Sequence, residues 1–203
     1  MDPDRAAEEL KILRQLMERP IRFSTMSGLS GVLAGAAALA GCVVDGYVSG
    51  RCSSGGALGA HMLVWAGVFV TALLAAAVLT RLREIRQGMP LWSKIKERIL
   101  LTILPPFVAG AGLTGILLGS QVGGPMAGQW GLIPAIWMAF YGLALWQLGE
   151  FSLLEVRLLG AAFLAGSLLS AAWGQQSPYW SLGLTFGGLH IVYGVIVRIR
   201  HGG

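Results

Sequence analysis

Six apolar runs, at residues 23–44, 57–79, 99–118, 131–148, 153–173 and 180–197, constrain this chain more than any other feature. Each is close to the ~20 residues that an α-helix needs to cross a hydrocarbon core about 30 Å thick. None carries Asp, Glu, Lys or Arg in its middle. A soluble core cannot take up so much apolar sequence: 55% of the 203 residues are hydrophobic and 12% are charged, against about 25% charged in soluble domains. The expected fold is an all-α integral membrane domain of six transmembrane helices over residues 23–198. A cytoplasmic amphipathic helix at 1–22 is expected before it, and a short cytoplasmic tail at 199–203 after it.

The charged residues set the orientation. In residues 81–98, RLREIRQGMPLWSKIKER, eight of eighteen positions are Lys, Arg or Glu, and apolar runs flank the stretch on both sides. With both termini inside, fourteen of the fifteen Lys and Arg residues fall on the cytoplasmic side and only Arg51 falls outside. Cytoplasmic loops collect positive charge in this way. A net charge of +5 is thus topogenic, and because it forms no single basic face, no nucleic-acid partner is expected. The expected location is a bacterial inner membrane, with the lipid bilayer as the first partner. In the leading segment Ala6, Leu10, Leu13 and Met17 share one side at helical spacing and Lys11, Arg14 and Glu18 take the other, as in a helix lying at the membrane interface.

The runs also resemble one another. Val32-Leu33-Ala34-Gly35, Phe107-Val108-Ala109-Gly110 and Phe163-Leu164-Ala165-Gly166 recur in the odd spans, and Trp65-Ala66-Gly67, Phe140-Tyr141-Gly142 and Val192-Tyr193-Gly194 in the even ones. Three tandem helical hairpins in parallel orientation are expected. Gly31/Gly35, Gly115/Gly119 and Gly183/Gly187 have the GxxxG spacing that lets membrane helices approach closely. These faces serve either internal packing or a homo-oligomer contact. Pro105, Pro106 and Pro134 should bend or unwind their helices.

Polar chemistry is sparse, and no nucleophile with a base, no phosphate loop and no metal-ligand spacing is present, so neither catalytic nor metal-binding residues are expected. His190 stands near the centre of the last span, where a neutral imidazole needs a partner; Ser27, Ser30, Thr114 or a backbone carbonyl bared by Pro105 or Pro106 could supply it. His61 lies shallower, and the two histidines together suggest a shared cavity, a ligand contact or a weak bis-histidine heme option. Glu18, Arg22, Glu97, Arg98, Glu150, Glu155 and Arg157 are expected to form an ion-pair network at the cytoplasmic surface. Asp45 could reach Arg51 across the first outer loop. Cys42 and Cys52 either close that loop with a disulfide or remain free thiols. Leu39-Ala40-Gly41-Cys42 has the form of a lipoprotein processing box, but five acids precede it, unlike a short positive signal region, so the segment reads as a retained helix.

The segments LMERPIRFSTMSGLSGVLAG at 16–35, LWSKIKERILLTILPPFVAG at 91–110, GLIPAIWMAFYGLAL at 131–145, LLEVRLLG at 153–160 and GLHIVYGVIV at 188–197 resemble a family of small six-span bacterial inner-membrane proteins. The resemblance implies a gene neighbourhood with a winged-helix regulator and brings no established activity. Two functional classes follow. One is a small transporter or permeation protein with a cavity between hairpins that reaches His190. The other is a non-catalytic membrane scaffold or sensor that docks a soluble partner on its cytoplasmic face. A lipid-modifying enzyme ranks third, supported only by the histidines.

Overall fold

The computed structural model describes residues 28–51, 57–119, 129–150, 152–173 and 178–201. Among these residues the structure is all helical, and six helices are long and apolar enough to cross a membrane. The first helix, α1, is Gly28–Ser49; α2 is Ala57–Arg86; α3 is Lys94–Gly119; α4 is Ile133–Leu148, entered through a 3-10 turn at Gln129–Leu132; and α5 is Leu154–Trp173. The sixth, α6, is composite: Pro178–Leu182 is α-helical, Gly183–Leu189 is π-helical and His190–His201 is α-helical again. Residues 1–22, expected as an amphipathic helix, lie outside the described residues.

Several helices outrun the expected spans, because local chemistry rather than bilayer thickness decides where a helix stops. Gly88, at φ 66°, takes the left-handed conformation that closes α2: Met89 N–H donates to the Glu84 carbonyl at 2.9 Å and Gly88 N–H to the Ile85 carbonyl at 3.1 Å. This double bond pattern satisfies the last carbonyls of a helix. Five residues later Ser93 starts α3, accepting from Lys96 N–H with its hydroxyl at 3.4 Å and from Glu97 N–H with its carbonyl at 3.1 Å. Residues 81–98 are thus mostly helix, with a tight reversal at the centre. Pro134 occupies the first turn of α4, where its missing N–H has no bond to lose, so the expected bend is absent there. Likewise α3 stays helical through Pro105 and Pro106.

Glycine sets which helices touch. Where α1 crosses α6, a Cβ on Gly28 would stand 2.5 Å from the Gly194 carbonyl oxygen, and one on Gly35 would stand 2.6 Å from that of Gly187. Where α4 crosses α5, a Cβ on Gly142 would meet the Gly160 oxygen at 2.9 Å, and one on Gly160 the Trp146 nitrogen at 2.6 Å. Backbones approach this closely only where side chains are missing. Two of the three GxxxG pairs, Gly31/Gly35 and Gly183/Gly187, therefore serve internal packing. Gly115/Gly119 does not: a Cβ at either would meet nothing within 4 Å, and the same holds for Gly67 on α2.

The apolar core is built by α4, α5 and α6, from Met138, Leu145, Val156, Leu159, Phe163 and Tyr193 among others. The edge of Phe163 meets Tyr141 at 4.9 Å between centroids, and Phe107 extends the aromatic stack to α3 at 6.3 Å from Tyr141. The apolar window of α2 has no buried residue at all. Its main packing partner is α1, where Val68 sits in the notch left by Gly41.

Replacing Gly142 with Ala forces a methyl into the α4–α5 crossing and should cost about 1–3 kcal/mol. Gly67→Ala, with open space around it, should be neutral or stabilising by about 0.5–1 kcal/mol, through a better helix propensity. Thermal unfolding of the purified protein in detergent checks both, and equal losses would contradict this packing.

Candidate functional site

His190 follows directly on the π-helical turn. That wider turn leaves the Phe186 carbonyl 2.8 Å from His190 Nδ1. A carbonyl only accepts, so the neutral ring carries its proton on Nδ1 and turns the Nε2 lone pair toward α4. There the Tyr141 hydroxyl stands 2.7 Å away and donates to it. The rings of Phe163, Tyr141 and Phe186 surround the imidazole at 5.3, 5.5 and 6.0 Å between centroids, leaving His190 8% exposed. Both nitrogens are used and the ring's neighbours are aromatic.

Of the hydroxyls expected to serve His190, Thr114 is bonded elsewhere. Thr114 donates to the Gly110 carbonyl at 2.8 Å and accepts from Trp137 Nε1 at 3.0 Å, one turn of α3 bonded to α4. Ser30 is buried on α1, and Ser27 lies outside the described residues. Nor is His61 brought to His190. It belongs to a second cluster at the opposite end of α1, so the structure offers no common space for two histidine ligands of a heme.

That second cluster surrounds Asp45. Because α1 continues to Ser49, Asp45 falls inside the helix, where it is 0% exposed. His61 Nδ1 lies 2.5 Å from its Oδ1 and Trp65 Nε1 donates to its Oδ2 at 2.9 Å. Trp130, from the turn before α4, lies 5.8 Å from the His61 ring. The expected Asp45 to Arg51 pairing gives way to this one, and the Arg51 guanidinium instead sits 3.5 Å over the Tyr47 ring. Cys42, one turn earlier on α1, is a free buried thiol packed on Gly183. Cys52 lies outside the described residues.

A third group joins α2 to α3 at the end of the bundle that carries the charged reversal, here called the basic end. Glu84 is 1% exposed; Lys96 Nζ reaches its Oε2 at 2.6 Å and also donates to the Leu91 carbonyl at 2.7 Å. Arg81 stands 3.7 Å from the same oxygen, and Oε1 has no hydrogen-bond partner. At the same end two ion pairs involve members of the expected surface network. Arg157 binds Glu150 at 3.0 Å and covers the Trp146 ring at 4.5 Å, while Glu155 takes Arg200 at 3.2 Å. Glu97 and Arg98 belong to the first exposed turns of α3, and Glu18 and Arg22 lie outside the described residues.

Sequence reasoning missed Tyr141, Trp65, Glu84 and Lys96 as partners. Tyr141 was visible as the polar member of Phe140-Tyr141-Gly142, opposite Tyr193 in the matching motif. Among the described residues no group of three or more His, Cys, Asp or Glu side chains gathers as a metal site. Comparison of the chain with protein-family models, curated proteins and solved structures returns no match.

Two substitutions probe these clusters. Tyr141→Phe removes one interhelical hydrogen bond and should lower stability by about 1 kcal/mol. Lys96→Met takes the nearest cation from a buried carboxylate and should cost about 3 kcal/mol, whereas the double change Lys96→Met with Glu84→Met should recover most of that loss. Unfolding measurements in micelles distinguish the two cases.

Proposed function

We propose that this chain is a multi-pass protein of a bacterial inner membrane, with its basic end in the cytoplasm, acting as a non-catalytic scaffold or sensor that docks a soluble partner there. The orientation follows from the placement of Lys and Arg. The observation that carries the role is the contrast between the two candidate regions. Around His190 the aromatic rings occupy the space that a permeation path would need, with both ring nitrogens engaged. At the basic end, by contrast, salt bridges fix the helix termini while Arg86, Lys94 and Arg198 remain exposed.

Such a surface suits a partner with an acidic face, because complementary charge steers association and fixes register. In-cell crosslinking followed by binding of the captured protein to the purified chain in nanodiscs tests this reading. Reversing Arg86 and Lys94 to Glu should reduce binding at least tenfold while membrane insertion is retained; unchanged binding would refute it. The transport reading makes the opposite demand, since the Tyr141 to His190 bond would have to open. Solute flux into proteoliposomes that is altered by Tyr141→Phe would restore that reading.

A further inference from the structure

The segment from Arg81 to Arg98 closes α2, reverses at Gly88 and opens α3, and every residue of it is described. The two helices it joins expose their apolar lengths: the apolar window of α2 has no buried residue and that of α3 has almost none. In a chain with six helices fit to cross a bilayer, those lengths face lipid. Beyond the apolar run that ends at Leu79, α2 stays helical through Arg81 to Arg86. In the same way α3 runs from Lys94 to Arg98 before its own apolar run begins at Ile99. At 1.5 Å per residue these added turns rise about 7–9 Å, close to the depth of one headgroup layer, about 5–8 Å. The reversal therefore emerges at the level of the headgroup phosphates.

Three features of the reversal fit that setting. Its tip is apolar: Leu91 is 67% exposed and Trp92 60%, and Leu82 and Ile85, one turn apart on α2, are exposed as well. An indole with aliphatic neighbours suits the boundary between headgroups and acyl chains. Its backbone is bonded from within. Arg81 Nη1 donates to the Met89 carbonyl at 3.4 Å and Lys96 Nζ to the Leu91 carbonyl at 2.7 Å, where a loop in water would leave both to solvent. Its charge is one-sided. Six of its eight charged side chains are Lys or Arg, and Glu84 is buried against Lys96. Glu97 is thus the one exposed acid of the segment, against exposed Arg86, Lys94 and Arg98. We propose that the reversal between α2 and α3 sits in the headgroup layer and binds anionic phospholipids there, with Leu91 and Trp92 against the acyl chains and the basic side chains on the phosphates.

Charge decides which lipid is taken. A guanidinium grips phosphate oxygens in pairs and an ammonium grips them singly. A zwitterionic headgroup carries its own cation beside the phosphate, so the unbalanced positive charge of the segment favours a headgroup with net negative charge. Depth decides between lipid and an acidic protein. A protein arriving from solution would meet the basic side chains, but the exposed Leu91 and Trp92 lie on helices whose flanks already face the bilayer. The inference rests on α2 and α3 spanning the membrane, and it needs neither a cytoplasmic location for the basic end nor a docked partner. Bound lipid would then hold the α2–α3 hairpin from outside, at the end where Glu84 and Lys96 hold it from within.

The whole protein in vesicles of phosphatidylglycerol and phosphatidylcholine, with bromine on the acyl chains of one lipid at a time, shows which lipid adjoins Trp92. The chain has seven tryptophans, so the Trp92 signal is the difference between wild type and Trp92→Phe. Brominated phosphatidylglycerol should quench that signal, with a relative affinity over phosphatidylcholine of about fivefold or more, the effect of one basic side chain at an anionic surface. In about 1 M salt, where the screening length falls to about 3 Å, most of this preference should disappear. Arg86→Gln combined with Lys94→Gln should also remove most of it, and the salt arm uses wild-type protein if that variant fails to insert. Equal quenching by the two lipids overturns the proposal. So does a Trp92 signal untouched by bromine and quenched by acrylamide from solution, which would leave the reversal open to a soluble protein instead. No soluble partner is present, so a failed docking assay at Arg86 and Lys94 leaves this result unchanged.

Discussion

A carboxylate enclosed among apolar helices must have its hydrogen bonds supplied by other helices, since lipid offers none and an unpartnered charge there is very costly. Asp45 and Glu84 meet that demand at opposite ends of α2, and the placement of that helix depends on them. Asp45 takes an imidazole and an indole from α2 itself. Glu84 is carried by α2 and takes Lys96, whose third-residue position in α3 is set by the Ser93 cap. The reversal at Gly88 is therefore more than a connection: its left-handed turn ends α2 in the register that faces Glu84 toward Lys96.

The remainder of the bundle is held by a different kind of force. In lipid, apolar side chains gain nothing by leaving solvent for one another, and association depends on close packing and interhelical hydrogen bonds. Gly28, Gly35, Gly187 and Gly194 bring α1 against α6, and Gly142 and Gly160 bring α4 against α5. The room left between α4, α5 and α6 is then filled by rings, with Phe163 between Tyr141 and Phe186. His190 fits this region because the π-helical turn supplies its first acceptor and Tyr141 its second contact. A widened turn of this kind leaves carbonyls available, and here one of them determines which nitrogen faces the tyrosine.

Much of the architecture was legible before any coordinates. Apolar run length names the six helices, since a ~30 Å solvent slab admits few alternatives. The Ser93 start and the Gly88 break follow from side-chain chemistry within four residues. GxxxG spacing found two real crossings and one open face, because spacing reports that a backbone can be approached and never what approaches it. Partner identity was less legible. Asp45 looked like a loop residue, since helix α1 outlasts its apolar run, and only the extra turn buries it. Tyr141 stood in a recurring motif that names no partner, and its bond to His190 joins positions 49 residues apart. Thr114 looked available to His190 by depth, but Trp137 on the adjacent helix is nearer in space. Long-range pairing depends on helix rotation, which a pattern of small and apolar residues leaves open.

The two histidines in described spans show how position decides what the same side chain can do. At His190 both nitrogens are bonded to neutral groups, a carbonyl and a phenol, among rings that must all move together if one moves. A ring in that setting ties α6 to α4 through Tyr141. At His61 the bonded group is a carboxylate, and the contact ties α2 to α1. The helix that carries His61 makes no glycine-to-glycine backbone crossing, and apart from Val68 in the Gly41 notch its ties to α1 and α3 include two buried carboxylates. The bundle thus has two parts: helices joined by glycine crossings around an aromatic core, and α2, exposed along its apolar length and bonded through buried carboxylates near both ends.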